Sequence, residues 1–332
     1  MAAITGTPQH NRGPDTASSP ATPPLVSVIL PVYNAGQTVD RALASITGQT
    51  YSPIEIIVID DCSSDDTVAR VRRWMPKCDL RLIVQSKNGG PAAARNAGLA
   101  AVRGDYVAFL DSDDEWLPEK TSKQVRALEG NLAASFCVCE QFWTFPDGTT
   151  EMTDNSLIAA NSGGQAWKRL LAASFIATPS VMVRRKYVSI VGGFDEKLIV
   201  GEDQDYWICL ARLGELVWVK ESLVRIHKRA AGHMALNFSR EIDCLLPMIE
   251  QRVKNYQADL SARERRAILG QRYAQIGRNV CSRGDWGAGA RLVLKAVALG
   301  YLPVQNLVFL LRTLLTGFRL KSHISMTKGV KQ

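Results

Sequence analysis

The chain has 332 residues, enough for one large domain and a smaller one. Apolar residues make up 46% and charged residues 22%, which is typical of globular proteins and argues against wholesale disorder and against a polytopic membrane protein. The formal net charge is +8, yet no nucleic-acid-binding motif is present and aromatic residues are not interleaved with the basic ones. We therefore do not expect nucleic acid as a partner.

The N-terminus and the cysteines bear on the compartment. Residues 1–24 are rich in Pro, Ser, Thr and Ala and lack the apolar stretch of a secretory signal. The seven cysteines form no CxxC pair and no Cys/His cluster at zinc spacing, which predicts reduced thiols. We expect a cytoplasmic protein with a disordered leader over residues 1–24.

From residue 25 onward, short apolar runs rich in β-branched residues alternate with amphipathic segments. The runs predict strands at 26–33, 54–60, 80–85 and 106–111, and the intervening segments predict helices that begin near Thr38, Thr67 and Pro91. This alternation predicts an open α/β sheet of parallel strands with helical crossovers.

Beyond residue 128 the pattern changes. Shorter strands are predicted at 135–140, 180–184, 216–219 and 223–227, with a turn at Asp147-Gly148, and they look like additions that make the sheet mixed. Helical periodicity dominates from about Met234, and residues 272–298 predict a helical hairpin that turns at Gly284-Asp285. We expect one domain over 25–234 and a helical C-terminal region over 235–332.

Polar residues follow each of the first four predicted strands. The strand ends read PVYN, DD, KNGG and DSDD. Ligands of open α/β sheets bind beyond the carboxyl ends of the strands, so these residues should line one polar crevice.

Two features of this crevice point to particular chemistry. Asp111 and Asp113 share one side of an extended segment, and such hard oxygen ligands suit Mg²⁺ or Mn²⁺; the alternative is a solvated acidic turn. Asp60-Asp61 suits hydrogen bonds to a ribose or base, although one of these residues can instead cap the helix that begins near Ser64.

Taken together and in order, the motifs resemble those of the family 2 inverting glycosyltransferases. They are VSVILPVYN, Gln49-Thr50-Tyr51 followed by IEIIVIDDCSSDDT, then KNGGPAAARNAG, YVAFLDSDD, GGFDE and GEDQDYW. The resemblance covers about residues 25–234. It implies the GT-A fold of nucleotide-diphospho-sugar transferases, a Rossmann-like open mixed sheet flanked by helices, here with a C-terminal helical extension.

The resemblance also implies roles for individual residues. A nucleotide-sugar would be bound by Pro31, Tyr33, Asp61, Arg95 and Asp111. Asp113 matches the metal ligand, and His227 matches more loosely a position that approaches the metal or the diphosphate; a purely structural histidine is the alternative. Glu202-Asp203 matches the catalytic motif, with Asp203 as general base. The implied cofactor is Mg²⁺ or Mn²⁺.

The residue chemistry agrees with these roles. Displacement at an anomeric carbon needs a stabilised leaving group and a deprotonated hydroxyl, for which a divalent ion on Asp113 and the carboxylate of Asp203 are suited. A single base without a covalent nucleophile predicts inversion. Glu202 and Asp203 also suit the start of a helix, and Tyr206 and Trp207 suit either stacking on an acceptor sugar or packing in the core.

The expected function is transfer of a sugar from a nucleotide-diphosphate sugar to a hydroxyl of a saccharide or lipid-linked saccharide, in polysaccharide or glycoconjugate synthesis. The alternative is a nucleotide-sugar-binding sensor or scaffold without turnover. A nucleotidyltransferase is less favoured, because residues 32–36 contain one glycine and no lysine where a phosphate loop would be expected.

The C-terminal tail adds an expectation about location. Residues 304–320 are apolar apart from a few polar residues and two arginines, Arg312 and Arg319, and are too short and too charged to span a bilayer. They suit an interfacial helix on the anionic inner face of a membrane, or else a helix packed on the catalytic domain.

Overall fold

A computed structural model describes residues 22–153, 162–228 and 240–301. In these ranges nine strands form one sheet: β1 (Val26–Val32), β2 (Ile54–Asp60), β3 (Leu80–Val84), β4 (Tyr106–Phe109), β5 (Glu115–Trp116), β6 (Ala134–Thr144), β7 (Thr150–Met152), β8 (Val181–Arg184) and β9 (Glu215–His227). The helices are α1 (Val39–Thr47), α2 (Thr67–Arg72), α3 (Gly90–Leu99), α4 (Lys120–Glu129), α5 (Ala166–Ala172), α6 (Arg185–Val191), α7 (Glu202–Leu213), α8 (Leu246–Asn255), α9 (Ala262–Ser282) and α10 (Trp286–Ala298).

The first four strands are parallel and lie in the order β3-β2-β1-β4. In this register Val28 of β1 lies opposite Ile56 of β2 on one side and Ala108 of β4 on the other. The predicted open sheet with helical crossovers is confirmed. Because the strands are parallel, their carboxyl ends meet at one edge, where the polar motifs follow them.

The remaining strands make the sheet mixed, as expected. Strand β8 runs antiparallel to β4 and β6, β6 runs parallel to β9, and β7 folds back on β6 through the predicted turn at Asp147-Gly148. The two strands predicted at 216–219 and 223–227 are one strand, β9. Polar residues 220–222 interrupt the apolar pattern, but the register with β6 shifts there, so a bulge absorbs them while pairing continues.

Apolar residues cover both faces of the sheet. Alternate residues of β1 point to opposite sides, so Ile29 joins one cluster while Val28 and Leu30 join the other. Tyr206 and Trp207 of α7 are each 1% exposed, and the Tyr206 ring stacks on Phe194 at 4.1 Å between centroids. These two aromatic residues therefore belong to the core and offer no stacking surface for an acceptor sugar.

The C-terminal helices include the predicted hairpin. Asp285 caps α10 by accepting a 2.9 Å hydrogen bond from the Ala288 amide, after Gly284 turns the chain at φ +109°. Helix α9 begins ten residues before the predicted start, because Ser261 and Glu264 form a capping box there. In the described ranges no helix is both long and apolar enough to cross a membrane.

Two of these helices contact helices that precede them in the chain: α8 contacts α7, the helix that begins with Glu202, and α9 contacts α5. The guanidinium of Arg252 in α8 donates to both carboxylate oxygens of Asp205, at 2.6 and 2.7 Å. Buried Arg272 in α9 donates to two carbonyls at the end of α5. Most of the expected leader, the domain boundary at 234/235 and the tail at 304–320 lie outside the described residues.

Candidate active site

A cleft of about 400 Å³ lies at the carboxyl edge of β1, β2 and β4. Strand ends and the first turns of α3 form its walls. Its lining includes all five residues predicted to bind a nucleotide-sugar and the predicted metal ligand: Pro31, Tyr33, Asp61, Arg95, Asp111 and Asp113. The structure thus brings together four sequence motifs that lie up to about eighty residues apart.

The rim of the cleft is formed by the end of β1. Pro31 lies within the strand opposite Ile59, and Tyr33 follows the strand with 53% of its surface exposed. An exposed aromatic ring beside a polar cleft offers a flat face for stacking on a planar base.

Asp61 has a structural task inside the cleft. Its two carboxylate oxygens accept hydrogen bonds from the amides of Gly89 and Gly90, at 2.7 and 2.8 Å, where α3 begins. Asp61 therefore caps α3, and not the helix near Ser64 that the sequence pattern suggested. Near Ser64, the amide of Thr67 instead bonds Asp65. Each oxygen of Asp61 retains a second lone pair, so capping leaves it able to accept from a ribose or base.

Arg95 connects the two halves of the site. Its buried guanidinium donates to Glu202 at 2.9 Å and to Asp111 at 3.1 Å. Burial alone lowers the pKa of Arg95, but the surrounding carboxylates outweigh it and raise that pKa above its ordinary value. A permanent cation therefore ties the end of β4 to the start of α7.

The acidic motif after β4 is crowded with carboxyl groups. Burial raises the pKa of Asp111, which Arg95 counteracts and Asp113 reinforces. Burial and the charges of Asp111 and Asp113 raise the pKa of Asp114 to about 8, while the hydrogen bond from the backbone amide of His227 opposes this rise. Such a concentration of negative charge is relieved by a bound cation.

The carboxylates of Asp111 and Asp113 suit a divalent cation that keeps some of its coordination positions for substrate. No group of three or more His, Cys, Asp or Glu side chains in the described residues could hold a metal by itself. Mg²⁺ usually binds through one or two carboxylates together with substrate phosphates, and Asp111 and Asp113 open onto the cleft as such a pair.

His227 lies at the end of β9, beside this motif. Its Nε2 is 2.5 Å from Glu115 Oε1, and its backbone amide donates to Asp114 at 3.0 Å. Glu115 also lies 3.5 Å from Arg41 and 3.4 Å from Arg225. The metal-ligand role of His227 stays a prediction, and the two arginines beside Glu115 were missed because nothing in their spacing marks them.

Glu202 and Asp203 begin α7 directly after Gly201, which has φ +83°. Glu202 is paired with Arg95; burial and the neighbouring Asp203 raise its pKa, and Arg95 lowers it. Asp203 accepts hydrogen bonds from the Thr178 hydroxyl at 3.2 Å and the Gln204 amide at 2.6 Å. The two adjacent carboxylates therefore differ, because Glu202 is paired with the guanidinium of Arg95 and Asp203 accepts hydrogen bonds from neutral donors.

Comparison with known proteins supports the fold and the family. The model of glycosyl transferase family 2 matches residues 27–190. An uncharacterized glycosyltransferase of Haemophilus influenzae is 41% identical over 109 residues, which are 32% of this chain and 44% of that protein. The chain thus spans less than half the length of this relative. The amylovoran biosynthesis glycosyltransferase AmsB of Erwinia amylovora is 30% identical over 210 residues, covering 60% of this chain and 69% of AmsB.

Two solved structures share the fold. Residues 1–349 of S. aureus TarS, in complex with UDP-GlcNAc, superpose with a TM-score of 0.66 at 20% identity, covering 82% of this chain and 79% of that one. The mannosyltransferase PcManGT from Pyrobaculum calidifontis, in complex with GDP-Man and Mn²⁺, gives a TM-score of 0.59 at 20% identity, covering 91% and 88%. The expected GT-A-type fold is confirmed, and the chain belongs to glycosyltransferase family 2.

Proposed function

We propose that the protein transfers a sugar from a nucleotide-diphosphate sugar to a hydroxyl of an acceptor, with inversion at the anomeric carbon. The observation that carries this proposal is the Arg95 bridge, which holds the cleft carboxylate Asp111 and the catalytic-motif residue Glu202 on one guanidinium. A donor in the cleft would therefore lie beside the start of α7, where the proposed base is located.

The donor would occupy the cleft in a defined direction. Tyr33 offers its ring to the base, Asp61 and Asp111 offer acceptors to the base and the ribose, and the acidic motif lies where the diphosphate would reach. Mg²⁺ or Mn²⁺ held by Asp113 would supply positive charge that stabilises the departing nucleoside diphosphate. The Mn²⁺ and GDP-Man bound by the structural neighbour PcManGT support this use of a divalent ion.

Asp203 is proposed as the general base. Glu202 is paired with Arg95, whereas Asp203 accepts hydrogen bonds from a hydroxyl and a backbone amide and is paired with no cation through a hydrogen bond in the described ranges. Asp203 can therefore accept the proton of an attacking acceptor hydroxyl. One base acting on the hydroxyl directly, without a covalent sugar intermediate, leads to inversion.

For the acceptor we propose a saccharide or lipid-linked saccharide of a surface polysaccharide or glycoconjugate. The name of AmsB, an amylovoran biosynthesis glycosyltransferase, supports this substrate class. Residues 235–332 would form a helical region beside a catalytic domain of residues 25–234.

We further propose a cytoplasmic protein whose tail touches the anionic inner face of a membrane. Residues 301–332 contain five Lys or Arg residues and no acid, a composition attracted by anionic lipids: Arg312, Arg319, Lys321, Lys328 and Lys331. Flotation with anionic vesicles tests this. Truncation after Leu302 should abolish binding, and unchanged binding of the truncated chain would refute the proposal.

Donor turnover tests the activity. UDP-, GDP- and dTDP-sugars are offered with Mg²⁺ or Mn²⁺ to the wild type and to Asp113→Asn, Asp203→Asn and the control Asp147→Asn, which alters an exposed turn. We expect metal-dependent turnover with one nucleotide, loss in the first two variants, and retained donor binding in Asp203→Asn. Tight binding without turnover against an acceptor panel would instead favour a sensor, and no binding of any donor would refute the proposal.

A further inference from the structure

Thr178 contacts the proposed base but lies outside every motif of the sequence. It begins a 3₁₀ turn, Thr178–Ser180, which leads into β8, and it is 4% exposed. Its hydroxyl donates to Asp203 Oδ2 at 3.2 Å, across 25 residues of chain. The buried hydroxyl of Thr178 thus contacts the carboxylate to which we assign the role of general base.

Two buried side chains that follow the predicted metal ligand Asp113 in the chain hold the 3₁₀ turn in place. The indole of Trp116 donates to the Pro179 carbonyl at 2.9 Å, and the amide of Gln124 donates to the Ser180 carbonyl at 2.7 Å. Both donors are buried side-chain groups, the indole N–H of Trp116 and the side-chain amide of Gln124. Trp116 belongs to β5, which begins two residues after Asp113. The turn is thus a rigid connection between the acidic motif and the start of α7.

Thr178 provides one of the two hydrogen bonds described above for the Asp203 carboxylate. The Gln204 amide bonds Oδ1 and the Thr178 hydroxyl bonds Oδ2, so donors from two different elements hold the two oxygens. The terminal torsion of an aspartate is soft, with a broad distribution of angles. With the Gln204 amide alone, the carboxylate could pivot about Oδ1, whereas the second donor fixes its plane.

We propose that Thr178 is a positioning residue that holds the Asp203 carboxylate in the orientation needed to accept the acceptor proton, and that the Trp116 and Gln124 contacts act through it. This inference rests on the proposed function, in which Asp203 is the base. Thr178 touches neither donor nor acceptor in this scheme. Its effect should therefore fall on turnover and leave the binding of the donor unchanged.

Thr178→Val removes the hydroxyl at nearly constant shape, and Thr178→Ser restores it. We expect Thr178→Val to lower kcat by about tenfold to a hundredfold, since small misplacements of catalytic groups cost up to about a hundredfold. The KM for the donor and the melting temperature should stay near the wild-type values. Thr178→Ser should recover most of the lost kcat. If the valine variant does not fold, Thr178→Ala takes its place.

The double variant Thr178→Val/Asp203→Asn separates positioning from other effects. Because Thr178 acts through Asp203, the double variant should be no slower than Asp203→Asn alone. The inference is overturned if Thr178→Val has wild-type kcat, if Thr178→Ser is as impaired as the valine variant, or if only the donor KM changes. If Asp203→Asn itself keeps wild-type kcat, the base assignment fails and the positioning role fails with it; an inactive Asp203→Asn beside a fully active Thr178→Val would refute only the positioning role.

Discussion

Replacing Arg95 with methionine should destabilise the protein in a manner that depends on pH. The Arg95 side chain is 7% exposed and lies between the carboxylates of Glu202 and Asp111. Methionine fills part of the volume but leaves these carboxylates without their cation. Breaking a buried ion pair by removing one partner costs on the order of 3–5 kcal/mol, so we expect a loss of that size near neutral pH.

The sign of the pH dependence follows from Glu202. Burial and the charge of Asp203 already raise its pKa above the ordinary value, and loss of Arg95 removes the influence that lowers it. A carboxyl group with a raised folded-state pKa favours folding at low pH, and that contribution is lost as the pH rises through the folded pKa. The deficit of Arg95→Met should therefore be larger at pH 8 than at pH 5.

Urea unfolding of the wild type and the variant at both pH values measures this deficit. Arg70→Met is the matched control, because Arg70 also bridges two carboxylates, those of Asp40 and Asp66, but at the surface. Exposed ion pairs contribute little, so the control should stay near the wild type at both pH values. A deficit of Arg95→Met that equals the control, or that does not change between pH 5 and pH 8, would refute the reasoning.

Three further substitutions test other parts of the structure. Lys120 is buried, and burial lowers its pKa to about 8. A lowered folded-state pKa of a lysine penalises folding increasingly as the pH falls towards that pKa, so Lys120→Met should gain stability relative to the wild type as the pH falls from 10 to 7. An opposite trend in urea unfolding would count against this. Arg252→Met should cost about 1.5–3 kcal/mol by urea unfolding, because it removes two hydrogen bonds to the buried Asp205 carboxylate, and an unchanged unfolding midpoint would contradict this. In Gly98→Ala, the new methyl would lie 2.6 Å from Ile29 Cγ2, so unfolding should become easier by about 1–3 kcal/mol, whereas the control Gly287→Ala, with 3.7 Å to its nearest neighbour, should be neutral or stabilising.

Local patterns in the sequence were enough to predict the first half of the fold. The apolar runs that became β1, β2, β3 and β4 have a length and β-branched composition that short buried strands require, and the segments between them have helical periodicity. Parallel pairing then follows from the helical crossovers, and it brings the strand ends to one edge. For this reason Tyr33, Asp61 and Asp111 could be expected in a single crevice, whereas the place of Arg95 there was implied by the resemblance to family 2.

Short or interrupted elements were less visible. Strand β5 has two residues and β7 has three, which is too few for a period of two to be recognised. Strand β9 was predicted as two strands on either side of residues 220–222, because a bulge lets polar residues interrupt the apolar pattern of a strand without ending its pairing. The shape of the second half of the sheet therefore depended on pairing partners that the sequence does not indicate.

The site shows the same division between local and tertiary information. The sequence by itself determined which residue types stand at the strand ends and at the start of α7, because those are properties of neighbouring residues. Only the tertiary structure decided that Asp61 caps α3, that Arg95 contacts Glu202 across 107 residues while it also binds Asp111, and that Thr178 contacts Asp203. These contacts join residues far apart in the chain, and their distances are set by how the helices pack on the sheet, which no spacing along the sequence records.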